Sequence, residues 1–140
     1  MQFMLAMVGE ESGWESSPEE MEEIVEAMGR YNRSLVEAGA LVDGAGLQPP
    51  STAKTVSFSA DADPVTTDGP FAETKEHLAG YWIIEVGSED EALDWVRKVP
   101  VKDGKIEVRE VMGYGKPMDL ETFERLQAVA TEELLKEHGK

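Results

Sequence analysis

Residues 77–86, HLAGYWIIEV, decide the fold, because Tyr81, Trp82, Ile83, Ile84 and Val86 make a strand that is apolar on both faces. Trp82 and Ile84 point one way while Tyr81 and Ile83 point the other, as the two-residue period of a strand requires. The first apolar run, QFMLAMV at 2–8, repeats the pattern, with Phe3, Leu5 and Met7 opposing Met4, Ala6 and Val8. A sheet of such strands needs cover on both faces. Two short helices cover one. A second copy of the same sheet is the simplest cover for the other, giving a two-fold dimer, and a C-terminal helix is the competing cover.

Working outward, Ser88 and Glu91 form a capping box that opens a helix over EDEALDWVRKV, with Ala92, Trp95, Val96 and Val99 inward and Pro100 as its end. After the KDGK turn, IEVREVM alternates Ile106, Val108 and, less cleanly, Met112 with charges. Upstream, SSPEEMEEIVEAMGRYNRSLVEAG is a helix. Ser17 and Glu20 make its capping box, Pro18 takes its first position, Met21, Ile24, Val25, Met28 and Leu35 recur at helical spacing, and Gly39 stops it. ALVDGAGLQPP reads as a short strand, a glycine-bearing turn and a proline exit. AKTVSFSA alternates Val56 and Phe58 with polar neighbours and reads as a half-buried strand, DADP turns, and VTT pairs back as a short hairpin arm. The order β-α-β-β-hairpin-β-α-β is that of a ferredoxin-like α+β sandwich.

At 140 residues the chain is long enough for one domain with a real core. Thirteen basic against twenty-nine acidic residues give a net charge of −16, which argues against nucleic acid and anionic membranes as partners; it reads first as a solubility device, with a cationic partner or ligand as the alternative. With no cysteine there is neither a disulfide framework nor a thiolate metal site. The start, MQFMLAMVGEES, lacks a basic n-region and its apolar run is short, so the expected location is cytoplasmic.

The candidate chemistry centres on TTDGPFAETKEH at 66–77. Asp68, Gly69, Pro70 and Phe71 are explained as a turn: Asp68 accepts hydrogen bonds from nearby amides and Phe71 anchors the loop. That reading leaves Glu73, Lys75 and Glu76 unexplained, and a carboxylate–ammonium array beside a cleft suits orientation of a polar ligand or a base. As an imidazole, His77 is a candidate proton carrier, but a lone histidine at a strand entrance reads first as an ordinary residue. Arg30, Tyr31 and Arg33, near the C-terminal end of the first helix, are better placed for its dipole than for chemistry, with Tyr31 facing the cleft as the functional alternative. DADPVTTDG fails as a calcium loop, since positions 5, 6 and 12 are Val65, Thr66 and Ala72. GAGLQP at 44–49 lacks the third glycine of a dinucleotide fingerprint. No metal set, cofactor motif or nucleophile triad is found.

DGAGLQPP after the first helix, TDGPFAETKE, the aromatic strand and the EALDW helix, in that order, resemble the YCII-related, DGPF-type domain family over residues 1–113. The resemblance implies a ferredoxin-like fold that dimerises into an α+β barrel, and a frequent genomic association with extracytoplasmic-function sigma factors. Some relatives carry a His–Asp pair with the histidine on the first helix. This chain has no histidine between residues 18 and 39, so that pair is not carried over. Two functions follow as expectations. One is a dimer binding a small polar molecule, with lyase- or isomerase-like activity as its catalytic version and Asp68, Glu73, Lys75, Tyr31 and His77 as the ligand set. The other is a non-catalytic accessory or regulatory protein tied to a sigma-factor system.

Residues 114–140 read as a glycine-bearing linker and an extra amphipathic helix. Its stripe of Leu120, Phe123, Leu126, Ala130 and Leu134 needs a surface, either the domain's own edge or the dimer mate.

Overall fold

A computed structural model describes residues 1–10, 16–70, 76–113 and 118–138. The elements are β1 (Gln2–Glu10), α1 (Pro18–Glu37), β2 (Leu41–Gly46), β3 (Lys54–Ser59), β4 (Ala62–Asp68), β5 (Glu76–Glu85), α2 (Glu89–Arg97), β6 (Lys105–Glu110) and α3 (Leu120–His138). Four strands form an antiparallel sheet in the order β2-β5-β1-β6, while β3 and β4 pair only with each other. This mixed α+β arrangement is consistent with the ferredoxin-like pattern. In it each β-α-β unit straddles a strand from the other half.

Local chemistry sets the helix ends. The Ser17 hydroxyl accepts from the Glu20 amide at 3.1 Å and donates to the Glu20 carboxylate at the same distance. Ser88 accepts from the Glu91 amide at 3.2 Å. At the other end of α1, Gly39 takes φ +71°, its amide bonds the Val36 carbonyl at 2.9 Å, and the Ala40 amide bonds the Leu35 carbonyl at 2.9 Å. That double closure satisfies carbonyls the helix would otherwise leave open, and it favours glycine because the left-handed region costs other residues.

The core lies between the sheet and α1 with α2. Leu5, Leu35 and Ile84 are fully buried, joined by Phe3, Tyr31, Trp82 and Ala92. Register puts Phe3 beside Ile84 and Leu5 between Trp82 and Val108, so the covered face is the one bearing Phe3, Leu5, Trp82 and Ile84. Met4, Ala6, Val8, Tyr81 and Ile83 line the opposite face and remain partly exposed. The competing cover does not reach them: α3 packs along α1.

Several expectations are corrected. The glycines of DGAG lie within β2 and not in a turn. Gly44 is small because the strands meet closely: a Cβ there would stand 3.3 Å from Trp82, and one on Gly80 of the facing β5 would stand 2.7 Å from the Ala45 carbonyl oxygen. Ile24 and Met112 are exposed, because the inward face of α1 turns instead on Met21, Tyr31, Leu35 and Val36, and β6 ends at Glu110; Val56 and Phe58 are exposed as well, because the β3–β4 hairpin stands apart from the four-stranded sheet. On α3 only Phe123 is buried among the described side chains; Leu120, Leu126, Ala130 and Leu134 face outward. The contact face runs through Phe123, Gln127 and Thr131, four residues apart, because Gly29 leaves room for the Gln127 amide.

Candidate functional site

Tyr31 sits on the inner face of α1, between two indoles. Its ring meets Trp82 edge-on at 5.5 Å and Trp95 at 6.3 Å, and its hydroxyl donates to the Trp95 carbonyl at 2.9 Å. Burial pushes its pKa far above the ordinary phenol value. Tyr31 is therefore a neutral hydrogen-bond donor that ties α1 to α2, unsuited to carrying a proton at neutral pH. Its neighbour Asn32 accepts from the Trp82 indole N–H at 2.7 Å, satisfying a donor that would otherwise be stranded in the core.

Asp68 ends β4, where its carboxylate takes the ammonium of Lys54 from the facing strand at 2.5 Å. Both side chains are largely exposed (66% for Lys54, 88% for Asp68), so the pair contributes about 0–1 kcal/mol. The hairpin end is fixed instead by the Gly69 amide on the Ala53 carbonyl at 2.8 Å and the Thr55 hydroxyl on the Gly69 carbonyl at 2.7 Å. Glu73 and Lys75 lie outside the described residues, as does Phe71. His77 opens β5 opposite Gly9. It stands five positions from Trp82, roughly 17 Å along the strand. Asp68 and His77 thus flank the 69–75 segment, whereas Tyr31 belongs to the helix side and is not brought to them.

The open sheet face holds what the sequence reading missed. The Tyr81 hydroxyl donates to Asp43 Oδ2 at 3.2 Å, and Asp43 Oδ1 accepts the Gly44 amide at 2.8 Å. Burial, then the Asp43 charge and hydrogen bond, push the Tyr81 phenol up. Around this pair, register assembles an apolar patch of Met4, Ala6, Val8, Leu78 and Ile83. Its rim is charged. Arg109 pairs with Glu107 at 3.3 Å on β6, and Lys105 reaches Glu76 at 2.8 Å beside the 69–75 segment. An apolar centre inside a polar rim is the anatomy of a specific interface. No single segment signals the Tyr81–Asp43 pair, because its partners are 38 residues apart and meet only through the β2–β5 register.

Among the described residues no helix is long and apolar enough to cross a membrane. The sequence profile of the YCII-related domain matches residues 1–115. An uncharacterized protein of Rhizobium meliloti (strain 1021) is 41% identical over 112 residues, spanning 78% of this chain and 87% of that protein. With the profile covering the whole sheet and its two packed helices, the chain belongs to the YCII-related domain family.

Proposed function

We propose that the chain acts as a two-fold dimer, closed through the open sheet face into an α+β barrel, that binds a small polar molecule in a cleft beside the 69–75 loop. The observation that carries this reading is the patch of Met4, Ala6, Val8, Leu78 and Ile83, which no helix covers among the described residues. Four strands at ~4.8 Å spacing and about seven residues of length give a footprint of roughly 20 by 23 Å. Two copies then bury about 900–1,000 Å², close to the lower limit for a specific contact. Ion pairs at the patch rim give the mate a defined orientation more than they add affinity.

Asp68, Glu73, Lys75 and His77 form the polar edge of the cleft in this reading, with Tyr31 left to structure. A carboxylate and an ammonium held beside an apolar barrel wall suit lyase- or isomerase-type proton transfer, which is the catalytic form of the proposal. Residues 1–113 make up the binding domain and 114–140 a linker and accessory helix.

A thermal-shift screen of polar metabolites on wild type and on the E73Q/K75Q double variant tests the ligand claim. A compound at a hundred times its Kd adds about 2.7 kcal/mol, a shift of several degrees. The expected result is stabilisation of wild type that the double variant loses. A screen with no stabilising compound, or an equal response in both proteins, contradicts the claim.

A second reading rests on the outward Leu126, Val129, Leu134 and Leu135 of α3. An exposed apolar helix face suits a non-catalytic accessory protein that docks on a partner, such as a component of a sigma-factor system. It predicts that removing residues 117–140 leaves the oligomeric state unchanged, with only the loss of melting temperature that undocking Phe123 brings.

A further inference from the structure

On the helix side, away from the open sheet face, α1 and α2 leave between them a groove of about 250 Å³, lined by Ala27, Arg30, Tyr31, Ser34, Trp95 and Lys98. Five described cations are committed elsewhere: Arg33 to Glu124, Lys54 to Asp68, Arg97 to Asp94, Lys105 to Glu76 and Arg109 to Glu107. Arg30 and Lys98 form no ion pair within 4.0 Å among the described residues, yet they share this groove. In a chain with twenty-nine acidic residues and thirteen basic ones, two cations lining one groove with no carboxylate among its lining residues are an uncommon pairing.

The other polar groups narrow the ligand. The Tyr31 hydroxyl hydrogen is taken by the Trp95 carbonyl at 2.9 Å, and the Ser34 hydroxyl bonds the Arg30 carbonyl at 3.0 Å. The side-chain donors left to the lining residues are the guanidinium, the ammonium and the Trp95 indole N–H, two of them cationic, so the guest must supply acceptors and negative charge. Lys98 Nζ is held 4.9 Å from the centre of the Trp95 ring, which keeps that charge at the groove wall. The dipole of α2 accounts for a lysine at its C-terminal cap, but it gives no reason for Arg30, which sits mid-helix on α1. The guanidinium fork matches carboxylate or phosphate oxygens, while Ala27 and Trp95 offer an apolar wall to a carbon skeleton. The volume is below that of pockets for drug-sized ligands, about 300–1,000 Å³, so the guest is small.

We infer that the α1–α2 groove is a binding site for a small organic anion, whose carboxylate or phosphate group lies between Arg30 and Lys98 with its carbon skeleton against Trp95. This site is separate from the cleft proposed above and does not depend on it.

The test is an NMR titration of the full chain with benzoate and, in a second arm, phenyl phosphate, following the Trp95 indole N–H. Saturable shifts are expected, weakening at high salt as exposed charge interactions do. The arm with the lower Kd identifies the head group. Arg30→Gln and Lys98→Met should each raise Kd at least tenfold, the methionine keeping the hydrophobic stem over Trp95. Lys102→Gln, another exposed cation outside the groove, should leave Kd unchanged. Non-saturating drift with both probes, or variants at positions 30 and 98 that titrate like wild type or like the Lys102 variant, overturns the assignment.

Discussion

Replacing Phe123 with alanine removes the one side chain that α3 buries among its described residues, at 6% exposure. A phenylalanine truncated inside a rigid core costs ~3–5 kcal/mol, part of it for the cavity left behind. Here the cost has a ceiling, because α3 can leave its seat once its anchor is gone, and the loss then equals its docking free energy. The remaining supports are modest. The half-exposed Arg33–Glu124 pair at 3.2 Å is worth about 0–1 kcal/mol and the Met118 amide bond to the Leu41 carbonyl about 1, while the Met118 side chain packs against the core just ahead of the helix. Burial of the Phe123 ring supplies ~1.5–3 kcal/mol, so the expected destabilisation is about 2–3 kcal/mol. Urea unfolding followed by tryptophan fluorescence measures it as a lower midpoint at nearly constant slope. A chain ending at residue 119, which keeps Met118, should lose the same amount within about 1 kcal/mol, since most of the helix's docking energy goes with the ring. A Phe123→Ala loss under about 0.5 kcal/mol, or a truncation far costlier than the point change, refutes the reasoning; the latter would mean that the outward leucines are covered.

Gly80→Ala drives a Cβ to 2.7 Å from the Ala45 carbonyl oxygen, a backbone atom that can yield only by moving β2, and should cost about 1–3 kcal/mol with faster amide exchange along β2. Asn32→Ala strands the Trp82 indole N–H, with an expected loss of about 1–3 kcal/mol and a shifted indole resonance. At the start of α3, the Thr122 amide on Asp119 Oδ1 at 2.7 Å holds that carboxyl below its ordinary range, aided by the Thr122 hydroxyl. A folded pKa below the unfolded one means that the stabilisation is present above the unfolded value and is lost as pH falls through the lowered one. The Thr122 amide resonance should therefore move at a pH below the ordinary aspartate midpoint, and a midpoint at or above that value would contradict the cap.

The parts of the fold that were legible in the sequence are local or periodic. Ser17 with Glu20, Ser88 with Glu91 and the Gly39 stop are each complete within a few residues, and the alternating apolar faces of β1 and β5 follow from the strand period alone. What was not legible depends on partners far apart in the chain. The glycines of β2 look like turn residues until β5 brings Gly80 and Trp82 against them. The stripe chosen for α3 assumed that leucines lead, but the gap at Gly29 selects Gln127, and the contact face rotates accordingly. The candidate site divided for the same reason. Asp68 and His77 flank residues 69–76 in sequence and lie on neighbouring strand ends of that stretch, whereas the inward turn of α1 that buries Leu35 also carries Tyr31 to the tryptophans. The Arg30–Lys98 groove joins residues from two helices, neither of which signals the other.

The central claim is that the sheet's second face is covered by another copy of the chain, and sedimentation equilibrium at micromolar concentration tests it most directly. Wild type should give twice the 15.4 kDa chain mass, and Ile83→Glu, which sets a charge in the middle of the patch, should give the chain mass itself while keeping its far-ultraviolet circular dichroism. A wild-type protein that sediments at the mass of one chain contradicts the account.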